Sequence, residues 1–220
     1  MGKKMNLEGK IINIIGDSIT RGALASAEEY KYIRVLEQLS GATVVEWAKS
    51  GTRIAKQIKA TNSKYDQDFL SRIDIMDNHC DIVIMFGGTN DFGHGDAPLG
   101  KMGDDSEYTF YGAVKSAIKK IRNKFPTAFF MIITPLHRTC ENNPYGEGMK
   151  ENVSPILKEY VFALKAVASS FKIPVLDLFD DNILTLDKPE WLSNDGTHPN
   201  NLGHKIIAQK IVEFLSFVEA

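Results

Sequence analysis

Two kinds of apolar spacing take turns along the chain. Ile11-Ile12-Asn13-Ile14-Ile15 is a short β-branched run stopped by Gly16, which predicts a buried strand ending in a tight turn. Between residues 28 and 39, Tyr32, Val35, Leu36 and Leu39 recur at helical spacing, and Gly41 follows as a stop. Residues 43–47 predict a second strand, with residues 48–51 as the loop leaving it. Phe69, Ile73 and Met76 predict a helix ending near His79. The run at 81–86 is apolar after its first residue and bounded by Gly87-Gly88, as expected of a central strand covered on both faces. Tyr111, Val114, Ile118 and Ile121 form a helical stripe that Pro126 terminates. A fourth strand is expected at 128–133, ended by Thr134-Pro135. Ser154-Pro155 predicts a helix N-cap with proline at the first helical position, the helix turning Leu157, Tyr160, Val161, Leu164, Val167 and Phe171 inward. A fifth strand follows at 173–178, with Pro174 near its start. The last helix begins near Leu202, its inner face set by Ile207, Ile211, Phe214 and Leu215.

Strands alternating with helices throughout predict an α/β fold with a parallel sheet covered on both faces. Five strands with right-handed crossovers suit a flavodoxin-like three-layer sandwich. No repeat, low-complexity tract or linker interrupts residues 1–220, so one domain is expected. In this architecture the loops after the strands gather at one edge of the sheet. Two of them, 92–107 and 137–152, are long and polar and should overhang that edge.

Composition narrows the classes of function. The 220 residues are 43% hydrophobic and 25% charged, with a formal net charge of -2. This is the balance of a globular protein with no basic footprint for nucleic acid or an anionic membrane surface. The basic start, Met1 to Lys10, is followed by no apolar segment of leader length, and no stretch approaches a membrane span. A cytoplasmic location is expected. Cys80 and Cys140 stand far apart and outside any metal-ligand spacing, which reads as two reduced thiols rather than a disulfide. No pair of histidines has metal spacing with a carboxylate, so no metal site is expected.

Candidate chemistry begins at Gly16-Asp17-Ser18. A serine just after a strand is either the N-cap of the next helix or a nucleophile at the edge where such sheets place their ligands. A hydroxyl attacks only if a base accepts its proton and that base is held in the right tautomer. Asp195 and His198 are three residues apart, so both side chains point the same way in a turn. One imidazole nitrogen can then bond the carboxylate while the other faces Ser18. The oxyanion that develops needs fixed donors. Gly51 can present its backbone N–H closely, Asn90 can offer its side-chain amide, and the Ser18 N–H can supply a third bond.

Gly-Asp-Ser near the N-terminus, Gly51 after the second strand, Gly88-Thr89-Asn90-Asp91 after the third, and Asp195-x-x-His198 near the C-terminus resemble the SGNH (GDSL) hydrolase superfamily. The resemblance covers nearly the whole chain in the family's order. It implies Ser18 as nucleophile, His198 as general base and acid, Asp195 as the orienting carboxylate, Gly51 and Asn90 as oxyanion donors, and a hydrolase needing no cofactor. One departure stands out. Family members often carry Asn-x-Gly shortly before the second-block glycine, where this chain has Glu46 and Ala48.

The remaining polar residues read more plainly. Asp17 and Asp91 are expected to support turns. His94 and His137 lie in the overhanging loops, as substrate contacts or as solvated residues. His79 and His204 are expected on the surface, as are Arg53 and Arg138 unless they meet an acidic substrate group. Together these features predict a serine esterase with an open, shallow pocket, acting on a small-molecule or carbohydrate ester with a short acyl group. Two rivals are an acyltransferase using the same residues and a non-catalytic module binding a phosphate at the strand ends. Asp17 weighs against the second, because it puts a carboxylate where the anion would sit.

Overall fold

The structure, a computed structural model, describes residues 5–59, 67–77 and 79–218. Five parallel strands form one sheet in the order β2-β1-β3-β4-β5, where β1 is Ile11–Gly16, β2 Thr43–Ala48, β3 Ile82–Phe86, β4 Phe129–Ile133 and β5 Val175–Leu176. This is the flavodoxin-like order, which places its ligands at the carboxyl ends of the strands. Residues of one strand alternate between two cores, as a period of two requires. Ile12, Ile14, Ile84, Phe86, Met131 and Ile133 pack toward one face, and Ile15, Val83, Met85, Phe130 and Ile132 toward the other.

Among the described residues, six α-helices connect and cover the sheet: α1 Tyr32–Ser40, α2 Phe69–Ile75, α3 Thr89–Gly93, α4 Phe110–Lys124, α5 Leu157–Ser170 and α6 Asn201–Phe217. α1 packs on α6 over the first face, while α4 packs on both α2 and α5 over the second. The side chains of Tyr32, Ile33 and Leu36 are fully buried, and each such residue contributes about 1.5–3 kcal/mol relative to leaving it exposed.

Local chemistry sets where helices begin. Asp68 accepts the Ser71 N–H at the start of α2, Thr109 that of Gly112 at the start of α4, and Asn200 those of Leu202 and Gly203 at the start of α6. Four expectations need correcting. The helix expected over 28–39 is a 3-10 turn at Glu28–Tyr30 followed by α1, and Leu39 faces solvent while Ile33 faces the core. Ser154 does not cap α5, whose N-cap is Ile156; its hydroxyl is hydrogen-bonded instead to Lys150 and Tyr160. The fifth strand is two residues long, because the Leu178 and Phe179 N–H groups turn onto the Thr134 hydroxyl. α2 ends at Ile75, one residue before Met76. Cys80 and Cys140 are free thiols. Among the described residues no helix is long and apolar enough to cross a membrane. The Met1–Lys4 stretch read for targeting signals lies outside the described residues.

Candidate active site

β1 ends at Gly16, and the chain turns at once into Asp17-Ser18-Ile19. A Cβ on Gly16 would lie 1.9 Å from Thr20 Oγ1, so only glycine lets the turn close this tightly. Asp17 Oδ1 accepts the Ile19 N–H at 2.9 Å, and the Ser18 carbonyl accepts the Ala23 N–H at 2.9 Å. Burial pushes the Asp17 carboxyl up to about 6, opposed by the Ile19 N–H and by the charges of His198 and Arg72.

The opposite end of the chain meets this turn. Leu192 and Pro199 form an antiparallel bridge, and Ser193 N–H donates to the His198 carbonyl at 2.8 Å. Asn200, besides capping α6, donates its amide to the carbonyls of Glu190 and Leu192. Clamped this way, His198 places Nε2 2.8 Å from Ser18 Oγ and Nδ1 2.5 Å from Asp195 Oδ2. Asp195 Oδ1 also accepts the backbone N–H groups of Thr197 and His198, each at 3.0 Å. Partial burial works against the Asp195 charge, but the hydrogen bonds from His198 and these N–H groups outweigh it and hold its pKa below the usual carboxylate value. With a hydrogen on Nδ1 directed at the carboxylate, Nε2 is free to accept the Ser18 proton.

The second and third loops are cross-linked to the first. Asp91 accepts the N–H groups of Ile54 and Ala55, both at 2.9 Å, in the supporting role expected of it. Asn90 Nδ2 donates to the Thr52 carbonyl at 3.0 Å, next to Gly51, whose φ of +75° lies in the left-handed region. Buried Arg72 donates to the Gly16 carbonyl at 3.0 Å, to the Thr52 hydroxyl at 2.8 Å and to the Trp47 carbonyl. The Ser18 turn, the Gly51 loop and the Asn90 turn are thus one connected body.

Other expected residues fall elsewhere. His94 faces Arg53 at 3.2 Å, and burial pushes its pKa down to about 4. His137 pairs with Glu141 at 2.7 Å and packs on the Phe179 ring, centroid to centroid 4.1 Å. Arg53, Arg138 and His204, expected on the surface, are buried. His204 stacks on Tyr32, and its position with Ile207 and Ile211 on one helical face is a signal that could have placed it in the core. Arg72 carries a similar signal, lying among Phe69, Leu70 and Ile73. A cavity of about 480 Å³ opens between the two overhanging loops, lined by residues 95–100 and 149–155 and by Lys59; its lining includes neither Ser18 nor His198. At its wall, Lys150 donates to the Asp91 carbonyl, Ser154 and Tyr160.

The family model of the GDSL-like lipase/acylhydrolase family matches residues 14–206. The chain belongs to that family. It is 27% identical over 135 residues to a GDSL lipase of Mycobacterium tuberculosis, a match spanning 61% of this chain and 50% of the relative, so only about half of that relative is covered. Among solved structures, a Lactobacillus plantarum protein superposes with a TM-score of 0.78 at 27% identity, covering 94% of this chain and 97% of the other. A Chitinophaga pinensis protein described as a possible lipase superposes with a TM-score of 0.72 at 24% identity, over 93% and 97% of the two chains. The second likeness speaks to fold. The four sequence blocks of this GDSL-family chain all fall within the matched span.

Proposed function

We propose that this member of the GDSL family is a serine esterase that works through a covalent acyl-enzyme. The observation that carries the reading is the 2.8 Å contact between Ser18 Oγ and His198 Nε2, made by residues 180 positions apart. Ser18 Oγ attacks the ester carbonyl carbon as His198 Nε2 takes its proton, and Asp195 stabilises the imidazolium that results. The carbonyl oxygen becomes an oxyanion, held by the N–H groups of Ser18 and Gly51 and by the free amide hydrogen of Asn90. The C–O bond to the alcohol breaks, and the alcohol leaves with the proton from His198. Water then adds to the acyl carbon with His198 again as base, releasing the acid and restoring Ser18. No cofactor enters this cycle.

The substrate is a small-molecule or carbohydrate ester with a short acyl group, in keeping with the polar loops beside the site. His94 and His137, in those loops, are candidate substrate contacts. Labelling with a fluorophosphonate tests the nucleophile. The probe should add to Ser18 alone, as located by peptide mapping, and Ser18→Ala should abolish both that adduct and p-nitrophenyl acetate hydrolysis. Full hydrolysis by the Ser18→Ala variant would reject the reading.

A further inference from the structure

Four loops supply the proposed chemistry, and two of them, those of Asn90 and His198, are joined by one buried side chain outside it. We infer that Arg138 is a positioning residue that fixes the base relative to the oxyanion donor. This rests on the roles proposed above for Ser18, His198 and Asn90.

Arg138 follows β4 and is 1% exposed. One guanidinium nitrogen, Nη1, donates to the Thr89 hydroxyl at 3.1 Å and to the Thr89 carbonyl at 3.3 Å. The other, Nη2, donates to the Thr197 hydroxyl at 3.0 Å and to the Glu147 carboxylate. Thr89 precedes Asn90, and Thr197 precedes His198. The neighbouring Thr139 adds to the grip on the second loop, its N–H donating to the Gly196 carbonyl at 2.9 Å and its hydroxyl to the same oxygen at 3.3 Å. A planar fork with donors on two nitrogens can span two loops at a fixed angle; a lysine ammonium, a single point of charge, cannot.

The geometry is hard to explain by stability alone. Arg138 Nε is buried with no hydrogen-bond partner, and an unsatisfied buried donor is destabilising. Replacing buried ionic groups with well-packed apolar ones is often neutral or stabilising. What an apolar side chain could not do is hold Thr89 and Thr197 in register. That register matters because a misplacement of about 1 Å in a catalytic geometry can cost about a hundredfold in rate.

The test compares wild type, Arg138→Lys, Thr197→Val and the double variant. kcat and KM on p-nitrophenyl acetate are measured per serine titrated by fluorophosphonate, alongside Tm. Arg138→Lys should lower kcat per titrated site by about tenfold to a hundredfold, with KM within about twofold. Thr197→Val should lower it in the same direction, and the double variant should be no worse than Arg138→Lys alone, because both break one link. A lowered Tm with kcat per site unchanged in both single variants would make Arg138 a brace only and overturn the inference. Losses that multiply in the double variant would also overturn it, since Arg138 would not act through Thr197. Should Arg138→Lys fail to fold, unchanged kcat per site in Thr197→Val decides against it. A wild type that takes up no probe would instead remove the Ser18 reading, and this inference with it.

Discussion

Asn90 gives one amide hydrogen to the Thr52 carbonyl, 3.0 Å away, and keeps the other. The bond does two things at once. It turns the Asn90 side chain so that its oxygen and remaining N–H have fixed directions, and it ties the residue after Gly51 to the third loop. Asn90→Ala should therefore remove a direct donor and loosen a second. Loss of one oxyanion donor raises the barrier by about 2.7–4 kcal/mol, or roughly a hundredfold to a thousandfold in kcat. The upper end of that range is expected, with KM little changed, in steady-state kinetics on p-nitrophenyl acetate. A loss below about tenfold would show that Asn90 only supports the loop.

Asp195 is the most solvent-exposed member of the hydrogen-bonded chain, its side chain 38% exposed against 21% for His198. Water around the carboxylate screens its charge and offers His198 Nδ1 a substitute acceptor. Replacing a deeply buried triad aspartate by asparagine costs about ten-thousandfold through the wrong tautomer. Asp195→Ala should cost less, on the order of tenfold to a thousandfold, because a solvent molecule can take the Nδ1 hydrogen. Asp195→Asn should be the worse variant, since its amide can donate to Nδ1 and force the unproductive tautomer. The reverse ranking in kcat would mean that a fixed hydrogen-bond acceptor, which Asn keeps and Ala lacks, is what holds the ring, and that the wrong tautomer is not enforced.

The central strands β3 and β4 were legible because they are apolar on both faces, so burial itself writes the run. Ser18, Asp195 and His198 were legible because short-range spacing puts Asp195 and His198 together and the topology returns them to the strand edge. Harder to read were the buried basic side chains. Arg53 and Arg138 belong to a residue type that is mostly exposed, and Arg138 reaches hydroxyls and a carbonyl far along the chain, at Thr89 and Thr197; for Arg72 and His204 the apolar neighbours on the same helical face were the signal that mattered. The α5 start failed for a related reason. Ser154 has the local credentials of a cap, but Lys150 and the Tyr160 hydroxyl, four positions before and six after, claim its oxygen.

His204 sets an acid limit on stability. Burial lowers its pKa from 6.5 to about 4, while its ring accepts the Tyr32 N–H at Nδ1 and faces the Ala23 carbonyl at Nε2, both at 3.4 Å. Between those two values the unfolded chain binds the proton and the folded one does not. The folded state is thus favoured above pH 6.5 and loses that advantage as pH falls toward 4, by up to about 3 kcal/mol. Asp17 acts in the opposite sense. Its pKa is raised from 3.8 to about 6, so the folded state takes up the proton first, and acidification through that window adds stability. The two contributions largely cancel in the wild type. Chemical denaturation of Asp17→Asn should therefore expose a steep loss of stability from pH 6.5 to 4, and His204→Gln should instead gain stability as pH falls from about 6 toward 4. Parallel pH curves for both variants and the wild type would mean that neither group titrates as described.

Acyl-chain length gives the last and most direct reading of the substrate. Each methylene buried in an apolar groove contributes about 0.8 kcal/mol, close to fourfold in kcat/KM. An enzyme with such a groove gains steadily from acetate to octanoate; one whose acyl group meets only polar loops does not. The 480 Å³ cavity between the overhanging loops has neither Ser18 nor His198 in its lining. Across p-nitrophenyl acetate, butyrate and octanoate, kcat/KM should be flat or fall with length. A rise of about fourfold per methylene would reject the short-acyl reading and send the chain toward the apolar residues of that cavity. Met149, 68% exposed and in its lining, then becomes the deciding position. Met149→Asp would flatten the rise if the chain binds there, whereas under the short-acyl reading it leaves acetate turnover within about twofold of wild type, as for a surface substitution.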